Sequence, residues 1–237
     1  MNAKKKAPVR GRTDIVKVDP VKDYKQHIMK PDLKKLEPKL KLFGFRRVEE
    51  MPQMPLICRL KKIGPVILHP KQTFDPHIGE IREFIRPVTC DSLQKLKALV
   101  GTPNEVLARE RKMRASTNIR KVQMQHLPAE AKFKFTSLDA PGRIALHDMA
   151  HNLLHGYVEE ERMQRQPYKA VVDYMIGKAR ELPTFVAQEL IVCPGETVFF
   201  NGFAAMFFVN VIVYGDGQIR MANNSKLHAY HIKHVPV

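Results

Sequence analysis

The sequence predicts an α+β chain with several helices between about residues 91 and 182, a C-terminal antiparallel β-meander, and an extended basic N-terminal arm. Three observations carry this. Capped starts and 3.6-residue apolar spacing fall between residues 91 and 182. From Thr184 onward the spacing turns to period two and β-branched residues take over. The first 47 residues hold 15 Lys and Arg against five acids, a balance of +10, with few large apolar side chains before Leu40.

The arm spans residues 1–47. Lys4, Lys5, Lys6, Arg10 and Arg12 open it, and the pairs Lys34-Lys35 and Arg46-Arg47 follow. Prolines at 8, 20, 31 and 38 interrupt helix formation, and so few apolar groups cannot offset the entropy of ordering. The arm is therefore expected to stay extended until a partner orders it. Residues 48–237 form one mixed domain. Its first part, 48–90, carries prolines at 52, 55, 65, 70, 76 and 87. The apolar pieces between them (56–58, 65–68 and 78–85) have strand length and suit edges or surface-hugging segments.

Two helices are expected between 91 and 127. Asp91 or Ser92 caps the first, with Leu93, Leu96 and Leu99 on its apolar side and Gly101 as its stop. Thr102-Pro103-Asn104-Glu105 is a capping box with Pro at the first helical position, and it opens a helix ending in a cationic run. Pro141 opens a third helix through His155, with Ile144, Leu146, Met149, Leu153 and Leu154 forming its apolar face. Pro167 opens a fourth, with Val171, Val172, Met175, Ile176 and Ala179 inward and Pro183 as its end. The strands follow at 185–192, 197–200, 207–214, 218–222 and 227–234, with Gly215-Asp216-Gly217 read as a hairpin turn. No internal repeat is evident.

Forty Lys and Arg stand against 24 Asp and Glu, a net charge of +16 and an isoelectric point near 9.8. An excess of this size speaks about partners, and makes a polyanion the expected one. No run of 18 apolar residues exists, so a membrane span is not expected. The N-terminus has cations without an apolar segment behind them, which does not fit a secretory signal. Three widely spaced cysteines (Cys58, Cys90 and Cys193) make no disulfide framework or CxxC metal site, and suit a reducing intracellular compartment, cytoplasm or mitochondrial matrix.

His147, His151 and His155 recur every four residues on one helix. Two such neighbours can share a metal, and a metal-dependent enzyme built on His147 and His151 is the third functional reading. Three cannot easily converge, because eight residues rise about 12 Å along a helix. A polar stripe is the simpler account, with a face for RNA or a partner as the alternative. His228, His231 and His234 alternate along a strand, with 228 and 234 on one face and 231 on the other, which argues against a chelate. Asn223, Asn224, Ser225 and Lys226 are donors that either touch phosphate or form a solvated loop. No GxSxG, Walker loop or GxGxxG occurs.

The second cationic focus is Arg109, Arg111, Lys112, Arg114, Arg120 and Lys121, with Ser116, Thr117 and Asn118 between its halves. Guanidinium forks match phosphate oxygens bidentately. Trp is absent, the Phe residues cluster in apolar strands, and no RNP, KH or zinc-knuckle motif occurs, so backbone and shape recognition is favoured over base reading. In composition and layout the chain resembles ribosomal proteins, including those of organelles, in which a globule carries a basic, proline-punctuated extension. That likeness implies a non-catalytic RNA-binding component of a large ribonucleoprotein particle. Its partners would be RNA phosphate and neighbouring proteins, with no membrane, cofactor or metal. The alternative is a viral nucleocapsid or capsid protein, against which the expected helices count.

Overall fold

Two strands, residues 180–192 and 205–214, sit at the centre of the molecule, and the second, with both faces covered, is apolar apart from Asn210. They belong to a computed structural model that describes residues 19–54, 57, 65–76, 78–103, 106–107, 119–127, 133–176, 180–222 and 225–237. The helices among these are α1 (Pro20–Asp23), α2 (Leu33–Leu42), α3 (Leu93–Val100), α4 (Ala140–Leu154), α5 (Glu160–Met163) and α6 (Tyr168–Ile176). The strands are β1 (Val66–Leu68), β2 (Phe74–Asp75), β3 (Gly79–Glu80), β4 (Ile85–Cys90), β5 (Arg180–Val192), β6 (Thr197–Phe200), β7 (Ala205–Tyr214), β8 (Gln218–Met221) and β9 (Lys226–Val235). The class is α+β, with the strands in mixed sheets.

The C-terminal strands do not form an antiparallel meander. The larger sheet runs β4-β5-β7-β9, with β4 antiparallel to β5 and the other pairs parallel. A second sheet, β1-β6-β8, is parallel throughout. Successive strands alternate between the two sheets, so the chain from β5 to β9 winds as stacked coils. Thr184 pairs with Ala205 and Ala205 with Lys226, steps of 21 residues, and Thr197 pairs with Gln218 at the same step. Each corner sits on the last: Gly195 N donates to Asp216 Oδ1 at 2.6 Å and Gln218 N to Glu196 O at 2.8 Å. The Gly215-Asp216-Gly217 turn is thus a coil corner between sheets, not a hairpin. Gly215 has φ +54°, and a Cβ there would overlap the Val237 side chain.

Between the sheets lies an apolar column that includes Phe185, Val198, Phe200, Phe203, Met206 and Phe208, all at most 2% exposed. The outer face of β5 and β7 packs under helices, where Val186, Ala205, Phe207 and Val209 meet residues from α2, α3, α4 and α6. A smaller cluster of Ile191, Ile212, Tyr214 and Val235 is covered by Tyr24 and Ile28. Pro183 is not a helix end but a residue of β5. Its carbonyl accepts from Ala204 N at 2.8 Å, just ahead of the start of β7, so its missing amide proton interrupts no ladder there.

Residues 33–47 are not an extended arm. Asp32 caps α2, its Oδ1 accepting from Lys34 N at 3.1 Å, and Leu36, Leu40, Phe43 and Phe45 enter the helix-side core at 0–4% exposure. Leu36 and Leu40 are four apart, which gives a short helix one apolar stripe. Pro38 stands inside this helix on its solvent side, where the carbonyl it leaves without a donor meets water. The next segment is fastened as well. Asn210 exchanges two bonds with the Met29 backbone (3.0 and 3.2 Å), and Lys39 Nζ donates to Ala229 O at 2.7 Å. Residues 1–18 lie outside the described part.

The helix cap at Ser92, the proline in the first turn of α4 and the stop at Gly101 are where the sequence puts them, and Asp139 caps α4 in addition, its Oδ1 accepting from Gly142 N at 2.8 Å. The helix expected from Thr102 falls mostly outside the described residues, although Val106 and Leu107 are helical. The expected face of α4 is shifted: Ile144 is 63% exposed, and Ala145, Leu146, Met149, Asn152 and Leu153 are buried. One of the cysteines also departs from expectation. Cys90 is a free buried thiol, as expected, but Cys193 is disulfide-bonded.

Candidate nucleic-acid interface

Of the cations singled out in the sequence, Lys4, Lys5, Lys6, Arg10 and Arg12 lie outside the described residues, as do Arg109, Arg111, Lys112 and Arg114. Lys34 and Lys35 are exposed on the first turn of α2, with Lys35 3.9 Å from Asp32 across a solvated pair. Arg46 and Arg47 are exposed on the loop that follows α2. Because Leu36, Leu40, Phe43 and Phe45 anchor the same stretch, these four cations stand on a fixed ridge. Lys39, one turn along α2, points the other way and holds β9.

Arg120 is built into α4. Its backbone exchanges two bonds with the buried Asn152 side chain, at 3.0 and 2.8 Å. Its guanidinium reaches Asp148 Oδ1 at 3.0 Å and His147 Nδ1 at 2.8 Å, the imidazole accepting. Lys121 beside it is exposed. A five-donor guanidinium anchored to one carboxylate keeps further N–H groups for an oxygen ligand. Arg120 and Lys121 are therefore brought together with the histidine helix, a juxtaposition the sequence does not announce. Asn152, the residue that fixes it, carries no distinguishing sequence signal.

The three histidines of α4 and its cap line one cavity of about 610 Å³. Its walls are the α3–α4 side loop (Val100, Gly101, Thr102, Pro103), Val106, Leu154, and Ser225-Lys226 at the start of β9. Thr102 N donates to Leu154 O at 3.0 Å, and a Cβ on Gly101 would overlap that same carbonyl, so glycine lets the loop lie against α4. Thr102 Oγ1 is 3.0 Å from His155 Nδ1. The His151 and His155 rings lie 4.5 Å apart, with Tyr157 at 6.2 and 6.5 Å. Among the described residues no group of three or more His, Cys, Asp or Glu is arranged to hold a metal ion.

The donors at the start of β9 serve the fold. Lys226 Nζ donates to Gly101 O and approaches Ala98 O at 3.5 Å, and His228 Nε2 donates to Leu99 O at 2.7 Å. Two basic side chains thus occupy the last carbonyls of α3, where a helix presents partial negative charge. Burial, then the nearby Lys39 charge, lowers the Lys226 ammonium to about 8. Burial is the main reason that His228 is pushed down to about 4, and it stays neutral near pH 7. His228 and His234 stand on opposite faces. Gln188, Val209 and Tyr230 drop out of the pairing register, and this aligned irregularity reverses the in–out alternation beyond it. Asn223 and Asn224 lie outside the described residues.

No described helix is long and apolar enough to cross a membrane. Comparison with models of known protein families, with curated proteins and with solved structures finds no match.

Proposed function

We propose that the chain is a non-catalytic RNA-binding component of a large ribonucleoprotein particle, of ribosomal-protein type, that grips the phosphate backbone and neighbouring proteins. The observation that carries this reading is the charge: +16 overall, with +10 in residues 1–47. Folding consumes little of that excess on the α2 ridge, where Lys34, Lys35, Arg46 and Arg47 are all exposed. Phosphate neutralisation needs cations at fixed spacing and no pocket, which is what such a ridge offers. Arg120 and Lys121 add a second contact zone. The working compartment proposed with this particle is intracellular, cytoplasm or mitochondrial matrix; it follows from the particle type and not from the cysteines, since Cys193 is disulfide-bonded.

The test is RNA affinity across a salt series, measured for the full chain, for a chain lacking residues 1–18, and for the Lys34, Lys35, Arg46, Arg47→Gln variant. Removing all of 1–47 would take out core residues Leu36, Leu40 and Phe43, so the truncation stops short of α2. Each lost phosphate contact lowers the log–log salt slope by about 0.7–0.9, so the fourfold variant is expected to lose about three. Absence of RNA binding by the full chain at low salt sinks the reading.

A further inference from the structure

The cavity beside α4 is not explained by phosphate neutralisation on a ridge. At about 610 Å³ it exceeds what a lone phosphate fills and falls in the range of sites for small organic molecules. Its lining is two-sided. Val100, Pro103, Val106 and Leu154 make an apolar wall, and Thr102, Ser225, Lys226 and the three histidines bring hydroxyl, ammonium and imidazole groups. Among the described lining residues there is no Asp or Glu. The His151 and His155 rings, 4.5 Å apart, add flat surface at the same place. The ligand that matches has a flat, weakly polar body and an anionic end.

We propose that this cavity takes one nucleotide unit of the bound RNA, a splayed-out or terminal residue, with its base against His151 and its phosphate toward Thr102 and Lys226. The inference rests on the RNA reading and deepens it. Side-chain rings are the usual platforms for unstacked bases, which every base can use because each has a π face. Lys226 has three donors, two of them spent on the end of α3, and is held in place by those bonds. Arg120, held against the neighbouring turn of α4 by His147 and Asp148, gives the RNA backbone a cation on its way to the cavity. Recognition is thereby no longer of backbone alone: the site counts one base out of the stack.

The experiment titrates adenosine 5′-monophosphate, uridine 5′-monophosphate, adenosine and inorganic phosphate into the full-length chain, following the histidine ring protons by NMR. Both nucleotides are expected to shift the His151 and His155 signals together, saturating at about 1 mM or below. Inorganic phosphate should do so more weakly. His151→Ala should weaken nucleotide binding by at least about fivefold, the lower bound for loss of one stacking partner, and His151→Phe should retain it. His151 is only partly buried, so these variants are expected to fold, and a thermal melt of each checks this. Saturation by phosphate as tight as by nucleotide, or equal binding by the Ala variant, overturns the assignment. So does the absence of any shift. If RNA still binds with a steep salt dependence in those cases, the pocket inference alone has failed; if RNA does not bind either, the functional reading fails with it.

Discussion

His228 enters the helix-side core as a neutral imidazole against Phe43, with its Nε2 proton committed to Leu99 O. Its folded-state pKa, about 4, lies below the ordinary 6.5, so as pH falls the unfolded chain takes up the proton first. The stability it contributes is fully present above 6.5 and is lost as pH falls toward 4, by about 3 kcal/mol. Urea denaturation at pH 7 and pH 4.5 should reveal most of that loss, and His228→Gln, which keeps an N–H donor without the titration, should flatten the difference. Lys226 acts on the other limb. Its folded-state value near 8 lies below 10.5, so stability should rise between those pH values. Gly101 is the second sensitive position: Gly101→Ala forces a Cβ into the Leu154 carbonyl. A rigid backbone obstacle of this kind costs about 1–3 kcal/mol, read as a lower urea midpoint.

At the scale of elements, α2 is both ridge and anchor. Leu36→Ala should cost about 2–4 kcal/mol, because the side chain is fully buried, and it should weaken RNA binding only through loss of folded protein. Lys34→Gln should do the reverse, leaving the melt unchanged and lowering the salt slope. The sequence declares the cations of this segment but hides its fold. Ten residues around Pro38 read as broken, since the stripe that stabilises them is only Leu36 and Leu40, and the rings against which the following Phe43 packs, Phe207 and His228, lie about 160–190 residues away. The cap at Ser92 and the helix opening at Pro141 are legible because they are local chemistry. Strand pairing is not: the apolar runs of β5 and β7 announce strands, while the choice between hairpin and coil is made at the corners. There Gly215 and Gly195 stack through the Asp216 carboxylate. The histidine face is readable as a spacing of four, but the cavity needs the Thr102 loop and Ser225 brought from either end of the sequence.

For the whole molecule the disulfide is the clearest global constraint. Cys193 is bonded, Cys90 is free, and Cys58 lies outside the described residues. The Ile57 backbone bonds both Ile191 O (3.0 Å) and Cys193 N (3.1 Å), which holds Ile57 against the end of β5 beside Cys193. Removing a native disulfide typically costs about 2–5 kcal/mol, so a reductant should lower the urea midpoint, and non-reducing peptide mapping should identify the partner of Cys193. The stacked coils set a further condition, on timing. The carbonyls at the end of α3 are claimed by Lys226 and His228, and Lys39 of α2 is tied to Ala229. All three partners belong to β9, which is synthesised after every described helix. At about 5–20 residues per second, α2 and α3 wait on the order of 6–40 seconds for the strand that completes them. During that wait the cationic segment and the unclosed apolar column are exposed together, and an RNA already at hand would meet the chain before its core is finished.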